Sequence, residues 1–207
     1  MKDKTGKLIV ISAPSGTGKT TVVKRLLEKI PNIIASVSFT TRPMRENERE
    51  GIDYFFVGKR KFETMVGDNQ FIEHATVFGN YYGTQKQSLS SNLKKGKNVI
   101  LEIDWQGAQQ VKEKMPSCIM IFLIPPSREA LLSRLKKRGT DSEREIENRF
   151  NQAVSDLNES NKFDHVLVND QIEVAVENIA HCIEGNFNQL NQSELVDNAL
   201  KSFYETN

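Results

Sequence analysis

The stretch Leu8–Thr20, LIVISAPSGTGKT, constrains this chain more than any other. Leu8 to Ser12 are mostly β-branched and apolar, enough for one buried strand. A turn rich in Gly, Pro and Ser follows. An amphipathic helix then begins near Gly18, with Val22, Val23, Leu26, Leu27 and Ile30 at helical spacing. Strand, Gly-rich loop and helix in that order are the context of a phosphate-binding loop. The pattern G-x-x-x-x-G-K-[ST] is met at Gly18, Lys19 and Thr20, with Ala13 in place of the first Gly. Gly16 and Gly18 let the backbone turn several N–H groups inward as a nest for an anion. The helix N-terminus adds its partial positive charge. Lys19 can reach β- and γ-phosphates, and the Thr20 hydroxyl can ligate Mg²⁺. The loop specifies a nucleotide phosphate, but neither the base nor the reaction.

The rest of the composition narrows the class. With 207 residues the chain can bury a core of good size, in one domain or one domain with small inserts. A formal charge of +1 argues against broad non-specific nucleic-acid binding. No apolar run approaches the roughly 20 residues that span a bilayer, and MKDKTGK has no apolar signal-peptide core. A cytoplasmic location is the expectation, without a membrane partner. Cys118 and Cys182 sit in apolar patterns and read as buried thiols in a reducing compartment. His74, His165 and His181 show no metal-ligand spacing.

Along the chain, Ile33–Phe39 reads as a strand and is followed by a segment dense in charge, from Arg42 to Glu50. Tyr54–Val57 reads as an aromatic strand, and residues 59–66 as a short helix. Phe71–Phe78 and Tyr81–Thr84 read as a strand pair around the turn signal Gly79-Asn80. Residues 36–84 therefore form a small β-rich insert between two α/β units. Helix Leu89–Lys95 ends at Gly96. Strand Asn98–Ile103 then ends at Asp104, a helix covers Ala108–Lys114, and Cys118–Ile124 is a doubly buried strand. A helix carrying Leu131, Leu132 and Leu135 leads into RGTDSER, Arg138–Arg144, which has the composition of a mobile loop. Another helix, a last strand His165–Val168, and a long amphipathic helix from Ile172 to Leu190 complete the pattern. Residues 193–207 add at most a short helix without an assigned role. Strands alternating with helices after such a loop predict a three-layer α/β fold with a mainly parallel sheet.

Three constellations carry chemistry. Asp104, at a strand end, is placed to face the magnesium of the phosphate-binding loop. Glu102 lies two residues earlier, on the same face of that strand. Arg134, Arg138 and Arg149 surround the charged loop. They suit a lid that excludes water and balances charge on a transferring phosphoryl group; the alternative is a solvated basic helix face. In the insert, Arg42 and Arg45 with Tyr54 and Tyr82 suit a phosphate monoester. Ser38, Glu73 and Thr84 supply polar groups beside them. Glu73 interrupts an apolar run, and on pattern alone an exposed strand Glu is an equal alternative.

The segments SAPSGTGKTT, SVSFTTRPMRENEREGIDYFFV, FIEHATVFGNYYGT, ILEIDWQG, RLKKRGTD and VLVND occur in an order that resembles guanylate kinase, a nucleoside monophosphate kinase family. The resemblance covers about residues 7–188. It implies a P-loop NTPase fold with a core (7–35 and 85–188), a GMP-binding insert (36–84) and a mobile lid (about 136–148), followed by a tail (189–207). It implies transfer of the ATP γ-phosphoryl to GMP with Mg²⁺ as cofactor. The ATP site would comprise Ala13, Pro14, Ser15, Gly16, Thr17, Gly18, Lys19, Thr20 and Thr21, with Asn169 near the adenine. Arg42, Arg45, Tyr54 and Tyr82 would hold the GMP phosphate. Ser38, Glu73 and Thr84 would read guanine, with Glu102 and Asp104 near the acceptor. Thr20 and Asp104 would serve the metal, and Lys19, Arg134, Arg138 and Arg149 the transferring phosphoryl group. ATP and GMP are then the small-molecule partners, dGMP is a further expected acceptor, and a homodimer is a candidate assembly. Ala13, Phe39 and Glu102 depart from residues common in the family without removing a required group. Three rivals remain: a protein-binding guanylate-kinase-like scaffold domain, a kinase for a ribose bisphosphate, and a P-loop GTPase. The intact loop, the guanine-reading set and the lack of an N-K-x-D motif argue against each in turn.

Overall fold

The computed structural model of the protein describes residues 5–137, 142–190 and 192–204. Its main sheet has five strands, β1 (Leu8–Ser12), β2 (Ile33–Ala35), β7 (Asn98–Glu102), β8 (Ile119–Ile124) and β9 (His165–Val168), in the order β2-β7-β1-β8-β9. The β2/β7 and β8/β9 pairs are parallel. Ile9, Val10, Ile11, Ile100 and Met120–Ile124 are completely buried, as expected for strands covered on both faces. A second sheet contains β3 (Phe39–Thr40), β4 (Phe55–Phe56), β5 (Phe71–Val77) and β6 (Asn80–Gln85), in the order β4-β3-β6-β5.

By its contacts the chain divides into two compact units. The first comprises residues up to 9 together with 32–118, and so contains the small sheet, β2 and β7. Its helices are α2 (Lys59–Gly67), α3 (Lys86–Lys94) and α4 (Trp105–Lys114). Phe62 and Met65 of α2 pack with Phe71 of β5 as a local core, lined by Phe39, Val57, Val66 and Tyr81. Phe39 stacks on Phe55 with centroids 4.8 Å apart, so its aromatic ring belongs to this core. The β5–β6 hairpin turns at Phe78-Gly79, one residue earlier than Gly79-Asn80. Both turn residues have positive φ (47° and 75°), the backbone a tight two-residue hairpin needs, and Val77 pairs with Asn80.

The second unit comprises residues 10–31 and 119 onward. Its helices are α1 (Lys19–Lys29), α5 (Arg128–Lys136), α6 (Glu143–Leu157), α7 (Ile172–Glu184) and α8 (Ser193–Tyr204). Helix α6 opens with a reciprocal capping box between Ser142 and Glu145, which satisfies two otherwise orphaned backbone N–H groups.

Several element boundaries differ from expectation. Ile33–Phe39 is not one strand: β2 and β3 belong to different sheets. The expected helix to Leu190 stops at Gly185, whose φ of 86° closes it in a left-handed C-cap. Beyond it α8 is a full helix that buries Ala199 and Phe203. Cys118 and Cys182 are buried free thiols, as expected. Among the described residues no helix is long and apolar enough to cross a membrane.

Candidate active site

The phosphate-binding loop lies in the second unit and is shaped by its backbone. Gly16 and Gly18 have φ of 88° and 97°, a region L side chains rarely adopt. A Cβ on Gly18 would also stand 2.9 Å from Nδ2 of Asn169. The loop is braced from behind through one carbonyl. Thr17 O accepts from Asn169 Nδ2 at 2.7 Å and from Arg134 Nη1 at 3.0 Å. The same Arg134 nitrogen donates to Asn169 O at 2.9 Å, and Asn169 N donates to Ile124 O at 2.8 Å. Asn169 is buried at the end of β9. Arg149, from α6, donates to Ser15 Oγ from both Nε (3.3 Å) and Nη2 (2.8 Å). Arg134 and Arg149 are thus both seated on the loop, whereas Arg138 and lid residues 139–141 lie outside the described residues. Lys19 begins α1 directly after Gly18, and Thr20 and Thr21 follow on its exposed first turn.

The first unit holds a different arrangement, made from side chains. Glu73 of β5 is only 2% exposed, so it is no surface strand residue. Thr84 Oγ1 donates to its Oε1 at 2.6 Å, and Ser38 Oγ lies 3.3 Å from Thr84 Oγ1. Burial pushes the Glu73 carboxyl up to about 7. The Thr84 hydrogen bond opposes that rise and the negative charge of Asp104 adds to it. Gly107 faces this carboxylate: a Cβ there would stand 2.6 Å from Glu73 Oε2.

Arg42 forms a bidentate pair with Glu48, Nη1–Oε2 2.9 Å and Nη2–Oε1 2.7 Å. Both side chains are about 15% exposed. Glu48 Oε2 also accepts from the Arg45 backbone N–H at 2.8 Å, which fixes the turn between the two arginines. The hydrogen bonds from Arg42 hold the Glu48 carboxyl below its usual range, and Glu48 in turn raises the Arg42 guanidinium. The guanidinium lies over the Tyr54 ring, 5.5 Å from its centroid. Tyr54 packs edge-on against Tyr82 at 5.9 Å. Burial pushes the Tyr54 phenol up to about 12, with the negative charge of Glu102 contributing next, so it stays a neutral donor. Arg45 itself is exposed. Within this unit Ser38, Glu73 and Thr84 therefore form one hydrogen-bonded cluster, and Arg42, Tyr54 and Tyr82 are brought together by cation–π and ring contacts.

The element boundaries around Asp104 differ from expectation. Strand β7 ends at Glu102, and Asp104 is the N-cap of α4, its Oδ1 accepting from Gly107 N at 2.8 Å. One of its oxygens therefore serves the helix start, because an unpaired N–H in the first turn needs an acceptor. Glu48 and Gly107 were not singled out from sequence. Their signals were present: a carboxylate within a run that also holds three arginines, and D-x-x-G at the start of a helix. Among the described residues no group of three or more His, Cys, Asp or Glu side chains gathers as a metal cluster.

A glycine-shaped anion loop opening a helix, after the buried strand of a mainly parallel sheet, defines a P-loop protein of the nucleotide-phosphate-binding class. The guanylate kinase family model matches residues 5–186. The chain is 43% identical over 189 residues to the guanylate kinase of Alkalilimnicola ehrlichii, covering 91% of this chain and 93% of that protein. It is 49% identical over 170 residues to that of Nitrosococcus oceani, covering 82% and 84%. The crystal structure of guanylate kinase from Anaplasma phagocytophilum superposes with a TM-score of 0.75 at 37% identity, covering 90% of this chain and 88% of that one. The chain belongs to the guanylate kinase family.

Proposed function

We propose that the protein transfers the γ-phosphoryl group of ATP to GMP, giving ADP and GDP. The observation that carries the choice of acceptor is the buried cluster Glu73–Thr84–Ser38. Guanine presents N1–H and N2–H₂ side by side as donors, and one carboxylate accepts from both. Adenine presents an unprotonated N1, which would leave a buried acceptor unpaired at about 1–3 kcal/mol. That difference is the basis of discrimination. Arg42, Arg45, Tyr54 and Tyr82 bind the GMP phosphate. dGMP, which has the same base and phosphate, is accepted through the same residues.

The donor binds in the loop Ala13–Thr21. Its phosphates take backbone N–H groups and the helix N-terminus, with Lys19 on the terminal phosphates. A GMP phosphate oxygen attacks the γ-phosphorus in line. A new O–P bond forms as the bond to the β-phosphate oxygen breaks, and ADP leaves. No covalent enzyme intermediate is needed. Arg149, Arg138 and Lys19 balance the charge on the equatorial oxygens, while Arg134 and Asn169 keep the loop in its anion-binding shape. The hydroxyl of Thr20 and the carboxylate of Asp104 are hard oxygen ligands, the type Mg²⁺ takes when most of its shell is water and phosphate. Bound Mg²⁺ would supply charge neutralisation for the phosphates of the donor. Residues 36–84 act as the acceptor-binding insert and about 136–148 as the lid of a core built from 7–35 and 85–188. The proposed location is the cytoplasm.

A coupled assay of ADP release tests this reading, with ATP, Mg²⁺ and GMP, AMP, CMP or UMP in parallel, on wild type and Glu73→Gln. Turnover selective for GMP and reduced by the substitution supports it. No turnover with any acceptor, in folded protein that still binds GMP, would instead favour a binding domain.

A further inference from the structure

Strand β5, which carries Glu73, is the edge of the small sheet. On its inner side it pairs with β6, where Glu73 stands opposite Thr84. The register shifts between Phe71 and Glu73, so the ladder is irregular just before the carboxylate. In a strand, the N–H and C=O of one residue point to the same side and those of the next to the other. With Glu73 turned to β6, the peptide groups of Ile72 and His74 face outward, where an edge strand ordinarily meets solvent.

Here they meet α4. Gln110 Oε1 accepts from His74 N at 3.1 Å, and Gln110 Nε2 donates to His74 O at 2.7 Å. The carboxamide thus does at His74 what a neighbouring strand would do. Lys114 Nζ donates to Ile72 O. Gly107, Gln110 and Lys114 are spaced i, i+3, i+7, which puts them on one face of α4. Gly107 is the member of that face that leaves room for the Glu73 carboxylate. The start of α4 is in turn fixed by the Asp104 cap. Three residues on one side of α4, Gly107, Gln110 and Lys114, therefore address Glu73, His74 and Ile72 of β5 respectively.

We propose that Gln110 and Lys114 are positioning residues for acceptor recognition, gripping the backbone on both sides of Glu73 so that its carboxylate meets both guanine donors. This rests on the reading of Glu73 as the base-reading group. Lys114 is also close enough that its charge favours the ionised form of Glu73. A carboxylate accepting two parallel hydrogen bonds is sensitive to displacement, because a shift that keeps one bond loses the other. Loss of the grip should therefore weaken GMP more than an acceptor that offers only one of the two donors.

The test compares wild type, Gln110→Met, Lys114→Met and Glu73→Gln with GMP and with inosine 5′-monophosphate, which lacks the exocyclic amine. Circular dichroism and thermal melting select the folded variants. For Gln110→Met the KM for GMP should rise about tenfold. The preference for GMP over inosine monophosphate, as a ratio of kcat/KM, should shrink by about fivefold, with KM for ATP unmoved. Lys114→Met should move both quantities in the same direction by less, and it serves as the second probe if Gln110→Met does not fold. An edge cap that only protects the sheet would lower kcat/KM for both acceptors equally, and that outcome overturns the proposal. A ratio moved by Glu73→Gln but not by either α4 variant overturns it while leaving the reading of Glu73 intact. A ratio unmoved by Glu73→Gln removes that reading and the proposal with it.

Discussion

The phosphate-binding loop and the Glu73–Arg42 region both suit anions or polar donors, yet they are made of different material. The loop is backbone: two glycines at positive φ, one carbonyl braced by Arg134 and Asn169, and one hydroxyl held by Arg149. The other region is side chains that already have partners. Glu48 occupies the guanidinium of Arg42, and Thr84 occupies one oxygen of Glu73. A backbone nest is preorganised and changes little on binding. A side-chain site with internal partners must rearrange or share them when the ligand arrives. The two regions should therefore fail differently when mutated.

The largest effect is expected at Gly18. Gly18→Val forces a β-branched residue to φ near +97° and drives a Cβ against Asn169. We expect kcat/KM for ATP to fall by about 10³-fold or more, since several N–H donors are lost together. The dissociation constant for GMP, measured calorimetrically, should stay within about twofold. A GMP affinity that falls in parallel would break the separation of the two regions.

Next is Arg42→Leu, which strands Glu48 and, on the proposed function, removes a ligand of the GMP phosphate. KM for GMP should rise about 30-fold or more, with KM for ATP unchanged. Glu48→Gln sharpens the point. If Glu48 preorganises Arg42, the amide cannot hold the fork as a carboxylate does, and KM for GMP should rise about fivefold. A fall in KM would mean that Glu48 competes with the phosphate instead. On the loop side, Asn169→Ala removes one bond to Thr17 O while Arg134 keeps another. KM for ATP should rise about fivefold at unchanged KM for GMP.

The same contrast explains what was legible in the sequence. The loop was readable because glycine is required by backbone geometry, and the residue type alone reports it. Arg42, Tyr54, Tyr82 and Glu73 stood out by residue type as candidates for the proposed acceptor site, but their partners did not. Glu48 lies in a run where Arg45, Glu46, Arg49 and Glu50 look equivalent, and only the turn's fold selects the carboxylate six residues from Arg42. Gln110 carries no periodic signal, since its partner is the backbone of His74, 36 residues away. Asp104 shows how one residue type fits two rules: a carboxylate after an apolar strand and an N-cap look the same until the helix start is known. The single strand from Ile33 to Phe39 failed because apolarity does not reveal that the chain leaves one sheet and joins another.

In the free protein the Glu73 carboxyl is raised from 4.5 to about 7, with burial the largest cause. A raised acid binds more protons folded than unfolded between those values, so stability falls as pH rises through that window. The loss amounts to roughly 3 kcal/mol by about pH 7.5. Glu73→Gln should flatten this slope in denaturant titrations and should be the more stable protein at pH 8. On the proposed role of Glu73, binding has the opposite sign, because guanine's two donors need the ionised form. For wild type, kcat/KM for GMP should rise about threefold between about pH 6.5 and 7.5 and then level, since this ratio reports the free enzyme's groups. The GMP phosphate titrates nearby, near pH 6, so Glu73→Gln supplies its profile alone, and the difference between the two curves belongs to Glu73. Asp104 and Lys114 act on the same carboxyl with opposite signs. Lys114→Met should move the midpoint upward and Asp104→Asn downward. A midpoint unaffected by either would mean that burial alone sets the charge of Glu73, and the acceptor region would then be as insensitive to its surrounding side chains as the loop is.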